Sequence, residues 1–136
     1  MNNKKKLIIF CASMIFAFVF WRLVVFFRQG EISILRGATG LNLHHYHYGI
    51  LFILIAVLVF IFYKAEKYSV ALAGFGMGSF FDGFVSRVSG NTVRATEITR
   101  YNEGFLLTSF LFVILMLFAI CGYLVFRRKE NLLSGK

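Results

Sequence analysis

A chain of 136 residues fits one domain, and with 59% hydrophobic residues, 18% aromatic residues and a mean hydropathy of +0.75 it is not a soluble one. The net charge of +9 would suggest nucleic acid in a soluble protein. Here the basic residues border apolar runs, which argues against nucleic acid and for membrane lipids.

Four apolar runs are long enough to cross a hydrocarbon core of about 30 Å, which takes roughly 20 helical residues. They lie near residues 7–27, 44–63, 68–87 and 104–126. None shows the period-2 alternation of a barrel strand, so the expected fold is an all-α membrane protein, one domain of four transmembrane helices in an up-down bundle. Proline is absent, so any break in a span falls at glycine.

The first run follows Lys4, Lys5 and Lys6, and its length and the lack of a small-residue cleavage site argue for a span over a signal peptide. The segment after it, 28–43, contains the strand-like "EISIL". The second run opens with "LNLHHYHYG" at 41–49 and ends at the short turn around residues 64–67, which makes spans two and three antiparallel neighbours. The third carries "GFGMGSFFDG", in which Gly74 and Gly78 form a small-xxx-small face for close helix packing. The segment 88–103 holds a second strand-like stretch, "TVRATEITRY". Together with residues 31–35 it is expected to form a small β-like extracytoplasmic cap. The fourth run ends in "RRKENLLSGK", a frayed tail.

With four spans, nine lysines and arginines fall on the side of both termini and five, all arginine, on the other, with Arg22 inside the first span. The positive-inside rule then puts both termini in the cytoplasm of a cell-membrane protein. Cys11 and Cys121 lie within spans and are expected to be small packing residues and not a disulfide.

In this topology His44, His45 and His47 occupy the first turn of span two at the outer surface. Asp82 lies around 10 Å below that surface on the neighbouring span. A carboxylate within a span costs about 2.5–3.5 kcal/mol and needs a partner. The candidates are the histidines, Arg22, Arg87 and Arg100. His44 and His47, spaced i, i+3, share a helix face suited to two ligands on one ion, while His45 points about 100° away. Hence the expected metal set is His44, His47 and Asp82 around zinc or a similar divalent cation. Asp82 and His45 are the candidate acid–base residues, and Arg87, Arg100 and Glu103 candidates for holding an anionic substrate. A structural polar cluster is the competing expectation, with Tyr46, Tyr48 and Trp21 as an aromatic belt and Arg22 snorkelling or ion-paired.

The pattern His44-His45-x-x-x-Gly49, then Gly74-x-Gly76 and Asp82, resembles a group of small multi-pass prokaryotic membrane proteins with H-x-H-H-x-x-x-G, an apolar span and G-x-G-x-x-x-x-x-D-E. The resemblance covers about 40 residues and pairs the histidine turn with Asp82. Asn42 stands where the pattern has its first histidine, Gly83 where it has glutamate, and His47 is additional; the missing glutamate subtracts from a full ligand set.

Three functions fit these residues. One is an outward-facing His/Asp site, metal-dependent, hydrolysing a lipid-like substrate. Another is a non-catalytic subunit or assembly factor, as a homo-oligomer or with a membrane protein partner. The third is a small proton- or cation-coupled transporter, although known exporters of that size carry their acid in the first span, where this chain has Arg22.

Overall fold

A computed structural model describes the backbone of residues 1–28, 44–89 and 104–133, and the side chains of all of these but 28, 86–89 and 130–133. The described residues form four helices: α1 (Asn3–Arg28), α2 (His45–Tyr63), α3 (Glu66–Ser89) and α4 (Phe105–Leu133). α1 and α3 cover their expected runs and overshoot them by a few residues; α2 begins at His45 and leaves His44 outside as the N-cap, and α4 begins one residue late and runs on to Leu133. The expected cap at residues 31–35 and 92–101 lies outside the described residues, as do Arg100 and Glu103. Arg87 lies on α3, its side chain likewise outside the description.

α1, α2 and α4 are long and apolar enough to cross a membrane. α3 differs for a physical reason: Glu66, Lys67, Asp82 and Arg87 share it with four glycines and four serines, and these residues dilute its hydropathy. It is also the helix most enclosed by the others, with Ser69, Gly74, Gly76, Ser79, Asp82 and Val85 buried around its circumference. By contrast, Phe26, Phe62, Leu106, Phe118 and Val125 of the other three helices stand exposed. The most polar helix sits inside and apolar side chains point outward, the inverse of a water-soluble bundle.

The helix directions follow from who meets whom. Lys6 lies at Glu66, Met14 at Gly78 and Arg22 at Asp82, so α1 and α3 run parallel. Ile53 meets Gly76 and His45 meets Gly83, so α2 is antiparallel to α3. Phe112 stacks near Phe18 and Phe105 lies under Arg22, which makes α4 antiparallel to α1. This is the up-down order.

Buried residues on α1 form one stripe, Met14, Ala17, Trp21 and Val25, at helical spacing. Opposite it, a Cβ on Gly78 would stand 2.5 Å from the Met14 carbonyl oxygen, and one on Gly49 of α2 would stand 2.5 Å from the Phe80 amide nitrogen. Glycine at these points lets α3 lie backbone-to-backbone against both neighbours, where contact must come from packing rather than from the hydrophobic effect. α2 and α3 are joined by Lys64 and Ala65 alone, Lys64 taking a left-handed conformation (φ 49°, ψ 24°) that ends α2. One turn on, the buried Ser69 hydroxyl donates to the Ala56 carbonyl at 2.8 Å and ties the two helices across that turn.

Candidate functional site

α1, α2 and α3 each send one polar side chain to the same point near the end of the bundle away from Lys64. Asp82, with no exposed surface, stands between the other two. Its Oδ1 is 2.7 Å from Arg22 Nη2 and its Oδ2 is 3.2 Å from His45 Nε2. Both contacts are at ion-pair distance. Arg22 and Asp82 cancel one another; protonation of His45 would add one positive charge.

α4 completes the enclosure. The Arg22 guanidinium carbon sits 5.2 Å from the Phe18 ring centroid and 4.9 Å from that of Phe105, the first residue of α4. Such cation–π contacts replace part of the hydration the cation gives up. A charge at this depth is tolerable because its counter-charge and two ring faces are built in around it.

On the other side of His45, Trp21 stacks with its ring centroid 5.2 Å from the imidazole and the planes 24° apart. Tyr48 lies nearly parallel to Trp21 at 6.0 Å and packs with Val25 against it. The indole Nε1–H donates to Ser79 Oγ at 2.7 Å, and Ser79 in turn donates to the Phe75 carbonyl at 2.8 Å. Trp21 is thereby fixed by a bond to α3 and offers a rigid face to His45. It is 4% exposed, so the belt role expected of it is wrong: it falls on the buried stripe of α1. The Tyr48 hydroxyl is buried and has no hydrogen-bond partner among the described residues.

Of the three histidines, His45 is the one at Asp82. The expectation that His44 and His47 face the carboxylate together fails because it counts both as helical, whereas His44 has extended backbone angles (φ −87°, ψ 161°). His47, at the third helical position, turns back instead: its Nδ1 accepts the His44 backbone N–H at 3.1 Å, the place glutamate or glutamine takes in a capping box. Tyr46 stacks on His47 at 3.9 Å, and the His44 and His47 rings lie 6.2 Å apart. These two histidines shape the start of α2.

Close approach of α2 to the site depends on Gly83. A Cβ there would fall 2.6 Å from His45 Cδ2 and 2.8 Å from the Tyr46 amide. Glycine in the position where the resembled pattern has glutamate makes room for the imidazole beside Asp82. The depth difference expected between Asp82 and the histidines also disappears, because α2 starts level with Asp82, two turns below the end of α3.

Among the described residues no group of three or more His, Cys, Asp or Glu side chains is placed to hold a metal ion. Comparison of the chain with protein-family models, curated proteins and solved structures gives no match. What the site can do chemically therefore rests on its geometry. A carboxylate oxygen 3.2 Å from Nε2 favours the imidazole tautomer protonated there, which places the lone pair of the neutral ring on Nδ1. The carboxylate thus orients the ring and compensates the imidazolium that proton uptake would create, the part an aspartate plays beside a catalytic histidine.

Proposed function

We propose that the chain is a four-span membrane protein, with α3 as the enclosed span and both termini cytoplasmic, whose outer end carries an acid–base centre for a lipid-like or other amphipathic substrate. His45 accepts and returns the proton. Asp82 orients it, and Arg22 supplies the counter-charge at the other carboxylate oxygen. The observation that carries this is the contact of one wholly buried carboxylate with both a guanidinium and an imidazole, stacked on a tryptophan that is itself pinned. A purely apolar contact of the three helices would be simpler to build, since replacing buried ion pairs with well-packed hydrophobic groups is often neutral or stabilising. Arg87, Arg100 and Glu103 remain candidates for the anionic part of a substrate. Among the described residues, Asp82 and His45 are the metal-type donors that meet here, fewer than a zinc site uses.

The test is turnover of labelled phospholipids and lipid-linked esters by the purified protein in vesicles, comparing wild type with His45→Gln and Asp82→Asn. The expected result is hydrolysis by wild type that both substitutions abolish, with His45→Gln keeping its thermal midpoint. Turnover in none of the substrates, or turnover that His45→Gln leaves intact, would refute the proposal.

One observation favours a second reading, a non-catalytic subunit or assembly factor. Asp82 has no exposed surface, and each of its oxygens meets a basic group, as befits a lock between three helices. On that reading the protein extracted in mild detergent runs in a larger complex, and Asp82→Asn loses the complex together with its own stability. A folded monomer as the sole extracted species would rule it out.

A further inference from the structure

At the end of the bundle opposite Asp82, α1 and α2 flank α3 without closing over it, and a groove of about 630 Å³ opens between them. Its walls are Ala12, Ser13 and Phe16 of α1, Phe52 of α2, and Ala71, Leu72 and Phe75 of α3. The alanines leave the space, while the Phe52 and Phe75 rings, packed edge-to-face at 5.0 Å, close it at the deep end. Ala71 and Phe75 lie five and nine residues from the start of α3, so the groove runs from roughly 8 Å to 14 Å along the helix axis.

Tyr68 lines the mouth of this groove and also lines a second cavity, of about 440 Å³, formed with Lys64, Ala65, Glu66, Lys67 and Met1. The two cavities, one apolar and the other basic, share exposed Tyr68 in their linings. The charge balance of the basic one is decided by Glu66. Its carboxylate is taken by Lys6 Nζ at 3.0 Å and by the N-terminal ammonium at 3.1 Å. Among the described residues no acidic group pairs with Lys64 or Lys67, both of which are exposed. The left-handed conformation of Lys64 in the two-residue turn fixes where the first of them leaves the backbone.

We infer that these two neighbouring cavities together bind one anionic phospholipid, an acyl chain lying in the groove and the phosphate between Lys64 and Lys67 with the Tyr68 hydroxyl beside it. The chemistry is complementary part for part: an apolar slot, an amphipathic tyrosine between the two cavities, and two cations that no acidic group among the described residues pairs with. The inference rests on the membrane placement of the helices and is independent of any reaction at His45.

The test uses the full-length protein in vesicles and spin-labelled phosphatidylglycerol against phosphatidylcholine. Resistance of the incorporated protein to alkaline extraction checks membrane placement separately. Wild type is expected to immobilise phosphatidylglycerol in preference to phosphatidylcholine, with the preference falling about five-fold for each of Lys64→Gln and Lys67→Gln. Ala71→Leu, which fills the groove, is expected to remove the tightly held fraction, while Arg127→Gln with Arg128→Gln leaves the preference in place. Equal binding of the two lipids, or a preference that survives loss of both lysines, would overturn the inference. So would a dimer in mild detergent that Ala71→Leu dissociates, since a second copy would then be the occupant.

Discussion

Asparagine at position 82 keeps the shape of the side chain and removes its charge, leaving the Arg22 guanidinium in a site where its side chain is 15% exposed. With Nη2 at 2.7 Å from Oδ1, the charge centres are about 4 Å apart, worth about 4 kcal/mol at an effective dielectric of 20. Stripping one partner from a buried pair costs about 3–5 kcal/mol, because the remaining charge has lost both water and counter-charge. Asp82→Asn is therefore expected to lose about that much stability, and Arg22→Gln a similar amount. The double variant strands no charge and should lose less than the sum, with a coupling of about 2–3 kcal/mol. Reversible unfolding of the four proteins in mixed micelles by titration with sodium dodecyl sulfate measures all the terms of this cycle. If Asp82→Asn unfolds within about 1 kcal/mol of wild type and the two losses simply add, the ion pair is not what joins α1 to α3 and the reasoning fails.

Gly83→Ala places a methyl 2.6 Å from the His45 ring and should push α2 from α3 at a cost of about 1–3 kcal/mol, seen in the same unfolding titration. Trp21→Phe removes the bond to Ser79 and should cost about 1 kcal/mol while keeping most of the stack, again by unfolding. At the lysine end, the hydrogen bond from Lys6, then that from the N-terminal ammonium, hold the Glu66 carboxyl below its ordinary 4.5. A lowered pKa means the contact stabilises above that value and is lost as pH falls through the lowered one. Thermal midpoints of wild type and Glu66→Gln should accordingly differ at neutral pH and converge on acidification; a constant gap contradicts the assignment.

The four helices were legible because a run of some 20 apolar residues has few other fates, and the short connection at residues 64–67 dictates that α2 and α3 are antiparallel neighbours. That topology alone brings the histidine turn towards Asp82, and Arg22 stands among the partners that the cost of a buried acid demands. Which histidine arrives was not legible, because it hangs on a single residue at a helix boundary. Counting His44 as helical turns His44 and His47 into a ligand face, whereas an N-cap at His44 uses His47 for capping and leaves His45 to the carboxylate. Trp21 was mistaken for an interfacial residue on residue type, although its spacing from Met14, Ala17 and Val25 was a signal that it faces inward. The polar character of α3 reads as a weak span by hydropathy and as the enclosed helix once its neighbours are in place; sequence carries the first fact and only packing the second.

Trp21 is the single tryptophan in the chain, and it lies against His45. The indole is thus a native fluorophore stacked on the imidazole at Asp82, with its N–H anchored on Ser79. Its emission is expected to respond to a change in the position of that ring, such as its displacement in Asp82→Asn, without an added label. The protein carries its own optical readout of the site.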